Sequence, residues 1–107
     1  EEQFMEGHEV VYDQDLALQD ADVVYVKSWS SVESYGKVLS QDSNWMMTKD
    51  KLDTTNNAKL LHCLPVRRNV VLSDDAIDSE YSAVYDLAEN RLHTAQAVIY
   101  KILSEVI

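Results

Sequence analysis

Residues 23–26 read Val-Val-Tyr-Val and residues 59–64 read Lys-Leu-Leu-His-Cys-Leu, and these two stretches decide the fold. Neither alternates regularly with polar residues, so both are predicted to be strands that are covered on two faces. Strands of this kind are typical of parallel sheets, in which helices form the crossovers. The sequence therefore predicts an α/β fold with a mostly parallel sheet, whose ligand site lies beyond the carboxyl ends of the strands.

Capping residues and apolar spacing predict the helices around these strands. Asp13 can cap a helix over residues 14–21, because aspartate accepts hydrogen bonds from the first free backbone N–H groups. Thr48 is a plausible cap for a second helix that runs to about Thr54. Ser73 is followed by two aspartates, which suit the positive end of a helix dipole and mark a third helix start.

The remaining segments are predicted from weaker patterns. A final helix is expected from about Ala88 to Val106, because apolar residues recur there at intervals of three or four. Short strands are expected at residues 9–12 and 82–85, and residues 69–72 could be strand or loop. Polar residues 30–43 are predicted to form a long loop, and loops of that length often carry function.

Composition limits the partners of the chain. Its 107 residues include 9 basic and 19 acidic side chains, which give a formal net charge of −10. That charge argues against general binding to nucleic acid or to an anionic membrane surface. No apolar run approaches the roughly 18 residues that a membrane-spanning helix needs. Cys63 is the single cysteine, so no internal disulfide forms, which fits a reducing compartment such as the cytoplasm.

Adjacent arginines follow the second apolar strand. Arg67 and Arg68 would suit an anion site, because guanidinium groups bind carboxylate or phosphate through two parallel hydrogen bonds. The alternative is a surface pair that Asp74 and Asp75 neutralise. The motif alone leaves both interpretations open.

Cys63 lies next to His62, which raises the possibility of a nucleophilic thiol. Neighbouring residues of a strand point to opposite faces, so His62 is poorly placed to activate Cys63 or to share a metal ion with it. His8 and His93 show no metal-ligand spacing relative to this pair, and no metal site is expected. A buried, inert cysteine is the commoner interpretation.

Two further cations stand at the ends of predicted elements. Lys27 follows the first apolar strand, where it could bind a substrate carboxylate or reach solvent past the strand end. Arg91 lies in the first turns of the final helix. It could pair with Glu89 or Asp86 at the surface, or it could point into a cleft.

Two sequence motifs connect these candidate residues. Residues 62–69 read His-Cys-Leu-Pro-Val-Arg-Arg-Asn, and residues 88–93 read Ala-Glu-Asn-Arg-Leu-His. Together they resemble the aspartate/ornithine carbamoyltransferase family. The Val-Arg-Arg-Asn continuation, and Ala-Asp-Val-Val-Tyr-Val-Lys-Ser-Trp at residues 21–29, resemble the branch that acts on N-acetylornithine or N-succinylornithine.

The resemblance covers only the carboxyl-terminal part of such an enzyme. The Ser-x-Arg-Thr and His-Pro-x-Gln motifs of the family's carbamoyl-phosphate domain are absent from this sequence. Residues 1–86 are therefore expected to be part of a Rossmann-like, three-layer acylornithine-binding domain. Residues 87–107 are expected to be the C-terminal helix that returns towards the absent first domain. The resemblance also implies a homotrimer for the full-length protein and no cofactor.

The resemblance implies a role for each of five residues. Arg91 would contact carbamoyl phosphate, at its carbonyl oxygen, and Cys63 and Leu64 would also lie at carbamoyl phosphate, with Leu64 near the amino-acid substrate as well. Lys27 would bind the acylated ornithine, and Arg67 would reach its acyl group. Arg91 and Cys63 are thus the expected catalytic residues, and all five are expected to bind substrate.

The implied reaction belongs to arginine biosynthesis. The δ-amine of an N-acylornithine attacks carbamoyl phosphate, and phosphate leaves to give N-acylcitrulline. Acetylornithine enzymes carry a lysine where this sequence has Val71, which favours N-succinylornithine. The alternatives are an ordinary ornithine carbamoyltransferase and a non-enzymatic, anion-binding α/β module. The isolated chain is expected to be inactive, because the phosphate-binding motif is missing.

Overall fold

A computed structural model describes residues 7–28, 33–34, 37 and 42–106 of the chain. Short helices and strands alternate along it, and a long helix ends it. The elements in chain order are α1 (Gln14–Leu18), β1 (Val23–Val26), α2 (Lys49–Leu52), β2 (Lys59–His62), α3 (Asp74–Ile77) and α4 (Val84–Val106). This order confirms the predicted α/β arrangement with a C-terminal helix.

The two strands pair in parallel, as predicted. Val23 lies opposite Lys59, and the register runs to Val26 opposite His62. The prediction that both faces of β1 are covered was wrong, because Val23 and Tyr25 remain 57% and 50% exposed. Among the described residues only β2 pairs with β1 and the core lies on one side of the sheet, so alternate β1 side chains face outward.

The core brings together residues from almost every element. Leu52 and Leu60 are fully buried, and Val24 and Val26 of β1 pack against the same cluster from the sheet. Burying aliphatic side chains of this size stabilises a fold by roughly 1.5–3 kcal/mol each. The buried cluster consists of Leu18, Met47, Leu52, Leu60, Val71, Leu72, Ala76, Ile77 and Val84.

The helix caps predicted at Asp13 and Thr48 are present in the structure. The Asp13 carboxylate accepts hydrogen bonds from the backbone N–H groups of Asp15 and Leu16, at 3.0 and 3.2 Å. The Thr48 hydroxyl accepts one from the Lys51 N–H at 3.4 Å. Both helices are shorter than predicted, and α1 ends at Leu18.

Two predicted strands are not formed. Residues 9–12 contain no strand in the structure, and with Val10 and Tyr12 exposed they have no buried face to reward pairing. Residues 82–85 make only one parallel bridge, between Ser82 and Leu60. The chain then turns helical, and α4 begins at Val84.

The second strand and the last helix also differ in length from their predictions. Strand β2 ends at His62 instead of residue 64, because the backbone turns at Leu64, where φ is 50°. Helix α4 includes the predicted span from Ala88 and begins four residues before it. Most of the predicted loop at residues 30–43 lies outside the described residues.

Candidate functional site

The ends of the two strands bring Lys27 and Cys63 together. These residues directly follow Val26 and His62, which face each other in the parallel register. Neighbouring strands lie about 4.8 Å apart, so side chains one residue further along start close to each other. Lys27 Nζ donates a hydrogen bond to Cys63 Sγ at 3.2 Å.

This contact changes the chemistry of the thiol. The hydrogen bond from Lys27 is the largest cause that lowers the pKa of Cys63 below its usual value, and Tyr25 contributes a smaller hydrogen bond in the same direction. Partial burial opposes the shift but does not cancel it. A lowered pKa increases the fraction of thiolate at neutral pH, and thiolate is the reactive form of cysteine.

His62 does not take part in this contact. Its side chain is 1% exposed, and its Nδ1 accepts a hydrogen bond from the Leu64 backbone N–H at 2.9 Å. Burial, followed by the charge of Lys27, lowers the pKa of His62 and favours the neutral ring. The cysteine–histidine nucleophile considered from sequence is therefore not formed, in agreement with the opposite directions of adjacent strand residues.

Helix α4 adds an arginine to the site. Arg91 and Cys63 line one cavity of about 230 Å³, together with Tyr25, Leu87 and Ala88. Within the described residues Arg91 forms no ion pair, whereas its neighbour Glu89 approaches His93 at 3.9 Å. The structure thus places Arg91 at a cleft and not in the surface pair that the sequence left open.

Arg68 is engaged in a surface ion-pair network. Its guanidinium donates to both carboxylate oxygens of Asp78 at 3.0 Å, and to Asp74 at 2.7 Å. These hydrogen bonds raise the pKa of Arg68 and lower the pKa values of Asp74 and Asp78. For Arg68 the surface-pair interpretation is therefore right, with Asp78 in place of the expected Asp75.

Leu64 and Arg67 lie just outside the cavity. Leu64 is partly buried and packs against the hydrophobic core. Arg67 is half-buried, and its main-chain carbonyl accepts hydrogen bonds from the N–H groups of Val70 and Val71 at 3.3 and 3.1 Å. Of the five residues expected at the site, the structure brings Lys27, Cys63 and Arg91 together. Leu64 and Arg67 lie in the segment that follows β2 and do not line the cavity.

The sequence analysis missed three residues that line the cavity. Tyr25 stands two residues before Lys27, so strand periodicity puts both on one face. Leu87 and Ala88 precede Arg91 by four and three residues, so helix periodicity puts them beside it. Both periodicities could have been applied once Lys27 and Arg91 had been chosen.

Two other features, a metal site and a membrane-spanning helix, are not found among the described residues. In the part of the chain that the structure describes, no group of three or more His, Cys, Asp or Glu side chains could hold a metal ion. None of the helices in that same part is long and apolar enough to span a membrane.

Known sequences resemble this chain over almost its full length. The family model for the aspartate/ornithine carbamoyltransferase Asp/Orn binding domain matches residues 1–102. An N-succinylornithine carbamoyltransferase of Bacteroides fragilis is 40% identical over 105 residues, which is 96% of this chain and 33% of that protein. An N-acetylornithine carbamoyltransferase of Xanthomonas axonopodis pv. citri is 37% identical, over 91% of this chain and 30% of that protein.

Solved structures of carbamoyltransferases are also similar to this chain. A variant of N-acetyl-L-ornithine transcarbamylase, complexed with carbamyl phosphate and N-succinyl-L-norvaline, superposes with a TM-score of 0.79 at 34% identity, covering 92% of this chain and 35% of that one. The ornithine carbamoyltransferase of Pyrococcus furiosus gives a TM-score of 0.74 at 34% identity, covering 86% and 31%. The chain spans about a third of the length of the curated relatives it matches.

Proposed function

We propose a carbamoyl-transfer function on the premise that this chain belongs to the aspartate/ornithine carbamoyltransferase family, whose Asp/Orn binding domain it matches over residues 1–102. The full-length protein transfers the carbamoyl group of carbamoyl phosphate to the δ-amine of an N-acylornithine. The products are N-acylcitrulline and phosphate, in arginine biosynthesis. The proposed setting is the cytoplasm, and the proposed assembly is a homotrimer.

One observation carries this proposal. Arg91 and Cys63 line the same cavity, and Lys27 is hydrogen-bonded to Cys63 beside it. Both substrates carry anionic groups, a phosphate on one and a carboxylate on the other, so a site that holds them needs cations at defined positions. In a chain of net charge −10, two cations that converge at the ends of β1, β2 and the first turns of α4 meet that need.

The reaction requires mainly that the protein orients the two substrates and stabilises the negative charge that develops on the carbonyl oxygen. The neutral δ-amine attacks the carbonyl carbon, and negative charge develops on the carbonyl oxygen before phosphate leaves. Arg91 donates to that oxygen and stabilises the tetrahedral intermediate, as donors in an oxyanion hole do. Holding the two reactants together supplies much of the remaining rate. Cys63 contacts carbamoyl phosphate without forming a covalent intermediate.

The other proposed contacts concern the amino-acid substrate. Lys27 binds the acylated ornithine from the end of β1, and Leu64 lies near both substrates at the start of the segment after β2. Arg67, in the same segment, reaches the acyl group. A succinyl group ends in a carboxylate that a guanidinium binds through two hydrogen bonds.

The preference for succinyl over acetyl rests on Val71. At this position acetylornithine enzymes are expected to carry a lysine, which would supply a cation near the acyl group. Val71 is 1% exposed and belongs to the hydrophobic core of this chain. A buried valine supplies no charge, so Arg67 is left as the proposed acyl contact.

The proposed domain division assigns residues 1–86 to the acylornithine-binding domain and residues 87–107 to the helix that returns towards the carbamoyl-phosphate domain. Residues 91–106 of α4 are exposed in the described structure, which supports a role for this helix outside its own domain. Since the Ser-x-Arg-Thr motif is absent from this sequence, the isolated chain is inactive in this account.

The reaction is tested on the full-length protein by measuring N-acylcitrulline formed from carbamoyl phosphate and N-succinylornithine. Arg91→Ala lowers kcat/KM by about a hundredfold or more, the usual cost of removing one donor to a developing oxyanion. Lys59→Ala removes a cation from the start of β2, at the opposite end of that strand from the site, and leaves kcat/KM unchanged. Equal activity in all three proteins would overturn the role of Arg91, and product from the isolated chain would overturn its predicted inactivity.

A further inference from the structure

The pairing of Lys27 with Cys63 is imposed by the sheet. Val26 and His62 are opposite each other in the parallel register, and the next residue of each strand is Lys27 and Cys63. The two backbones are therefore held at the spacing of neighbouring strands, and from that position Lys27 Nζ reaches Cys63 Sγ at 3.2 Å. An amine and a thiol thus remain within reach of each other in the folded protein.

The thiol of this pair is accessible and activated. Cys63 is only partly buried, and it lines the cavity of about 230 Å³ that it shares with Arg91. A small oxidant that enters this cavity meets the sulfur directly. The lysine beside it favours the thiolate, and thiolates with cationic neighbours are the cysteines that peroxides oxidise to sulfenic acid.

The next step depends on which nucleophile meets the sulfenic acid. Sulfenic acids condense with a nearby thiol or with a nitrogen. Cys63 is the only cysteine of the 107 residues, so the sequence offers it no thiol partner. Lys27 Nζ already lies within hydrogen-bond distance of the sulfur. We propose that peroxide converts the Lys27–Cys63 pair into a covalent S–N cross-link between the ends of β1 and β2, which thiols reverse.

The chemistry balances with hydrogen peroxide as the only co-reactant. The Cys63 thiolate attacks one peroxide oxygen, an S–O bond forms, the O–O bond breaks, and hydroxide leaves. Sulfur loses two electrons, and peroxide is reduced. The hydroxide takes a proton from the Lys27 ammonium and becomes water. The neutral amine then attacks sulfur, an S–N bond forms, the S–O bond breaks, and the oxygen leaves as a second water with the other amine proton.

The cross-link would also switch the site off. It removes the positive charge of Lys27 and the free thiol of Cys63, which lines the cavity beside Arg91. This consequence rests on the proposed function, whereas formation of the bond does not. A first thiol attacks the sulfur and breaks the S–N bond, which releases the Lys27 amine and leaves a mixed disulfide on Cys63. A second thiol then frees the Cys63 thiol by thiol–disulfide exchange.

The bond is tested by mass spectrometry after the folded protein is treated with hydrogen peroxide. Wild-type protein is expected to lose the mass of two hydrogen atoms and to yield a cross-linked peptide pair containing Lys27 and Cys63. Dithiothreitol is expected to reverse both changes. Lys27→Arg keeps a cation beside the thiolate but lacks the amine, so it is expected to accumulate sulfenic acid that dimedone traps. Peroxide added in denaturant is expected to give no cross-link.

Three outcomes would overturn the cross-link. The first is dimedone trapping in wild type as high as in Lys27→Arg. The second is the same two-hydrogen loss in Lys27→Arg, which would indicate reaction with a backbone nitrogen. The third is a cross-link to a different lysine. Carbamoyl transfer by the full-length protein is measured in parallel. Activity that persists in fully cross-linked protein would overturn the proposed site and leave the bond intact, so the two claims fail separately.

Discussion

Arg68 donates one hydrogen bond to each carboxylate oxygen of Asp78, and both bonds measure 3.0 Å. The same guanidinium also contacts Asp74 and donates to the Tyr85 hydroxyl at 3.3 Å. One arginine thus ties the segment after β2 to both ends of α3 and to the start of α4. Through Tyr85 it contacts the first turn of α4, the helix that carries Arg91.

Replacing Arg68 is expected to weaken the contacts between the segment after β2 and helices α3 and α4. Arg68→Lys keeps the charge but cannot bind Asp78 through two parallel bonds, so the free energy of unfolding at pH 7 falls. The loss is modest because the pair is exposed to solvent. Urea denaturation measures this loss. The control is Lys101→Arg, because Lys101 and Glu105 form a weak surface pair at 4.0 Å. Equal stability of Arg68→Lys and wild type would contradict the account.

The same network predicts an acid dependence of stability. The pKa values of Asp74 and Asp78 are lowered from 3.8 on folding, so their contribution is complete above that value and is lost as the pH falls through the lower folded values. Arg68→Met removes the largest cause of both pKa shifts. Its urea midpoint is therefore expected to depend less steeply on pH below 3.8 than that of wild type. Parallel acid profiles would argue against the network.

The thiol of Cys63 provides a second pH-dependent readout. Lys27→Met removes the hydrogen bond and the charge that lower the pKa of Cys63, so the pKa rises. The rate of alkylation by iodoacetamide as a function of pH reports this change, and its midpoint is expected to move to higher pH. Lys59→Met removes one charge from the opposite end of β2 and leaves the midpoint in place. A midpoint that is the same in both variants would sink the assignment.

The two neighbouring strands offer a matched test of packing. Leu60 is fully buried and Val23 is 57% exposed, although both were predicted to be covered. Leu60→Ala is expected to cost about 2–5 kcal/mol of unfolding free energy, the usual range for a truncated core leucine. Val23→Ala is expected to cost less than about 1 kcal/mol, as for exposed strand positions. Similar losses in urea denaturation would mean that the outer face of β1 is covered after all.

Features that depend on a few neighbouring residues were predictable from sequence. Asp13 and Thr48 cap helices because their oxygens meet N–H groups two or three residues away. The strands at residues 23–26 and 59–62 were recognised from their own apolar runs. Their parallel pairing followed from the lack of polar alternation, and it brought Lys27 and Cys63 to one edge.

Features that depend on distant partners were not predictable in this way. Residues 82–85 have strand-forming side chains, yet they form a single bridge, between Ser82 and Leu60. The Ala83 N–H donates to the Leu60 carbonyl, but the Ala83 carbonyl accepts a hydrogen bond from the Leu87 N–H and starts α4. Asp78, and not Asp75, joins Asp74 at Arg68, because residues four apart share one face of a helical turn and the packing of α3 turns that face towards Arg68. Strand periodicity places Tyr25 on the same face as Lys27, but the cavity that Tyr25 shares with Arg91 depends on the position of α4.

Arg67 is expected to act on substrate affinity more than on chemistry. In the full-length protein, Arg67→Ala raises the KM for N-succinylornithine by about 10- to 100-fold, the usual worth of a charged hydrogen bond, and changes kcat little. Steady-state kinetics at saturating carbamoyl phosphate measures both constants. Lys59→Ala, which removes a cation from the start of β2, serves as the control. An unchanged KM in Arg67→Ala would remove Arg67 from the site.

The most direct test of the account compares three amines as acceptors for the full-length protein. Ornithine, N-acetylornithine and N-succinylornithine are each supplied with carbamoyl phosphate, and kcat/KM is measured for each. N-succinylornithine is expected to give the highest value, N-acetylornithine a lower one and ornithine the lowest. A preference for free ornithine, or no transfer to any of the three, would contradict this expectation.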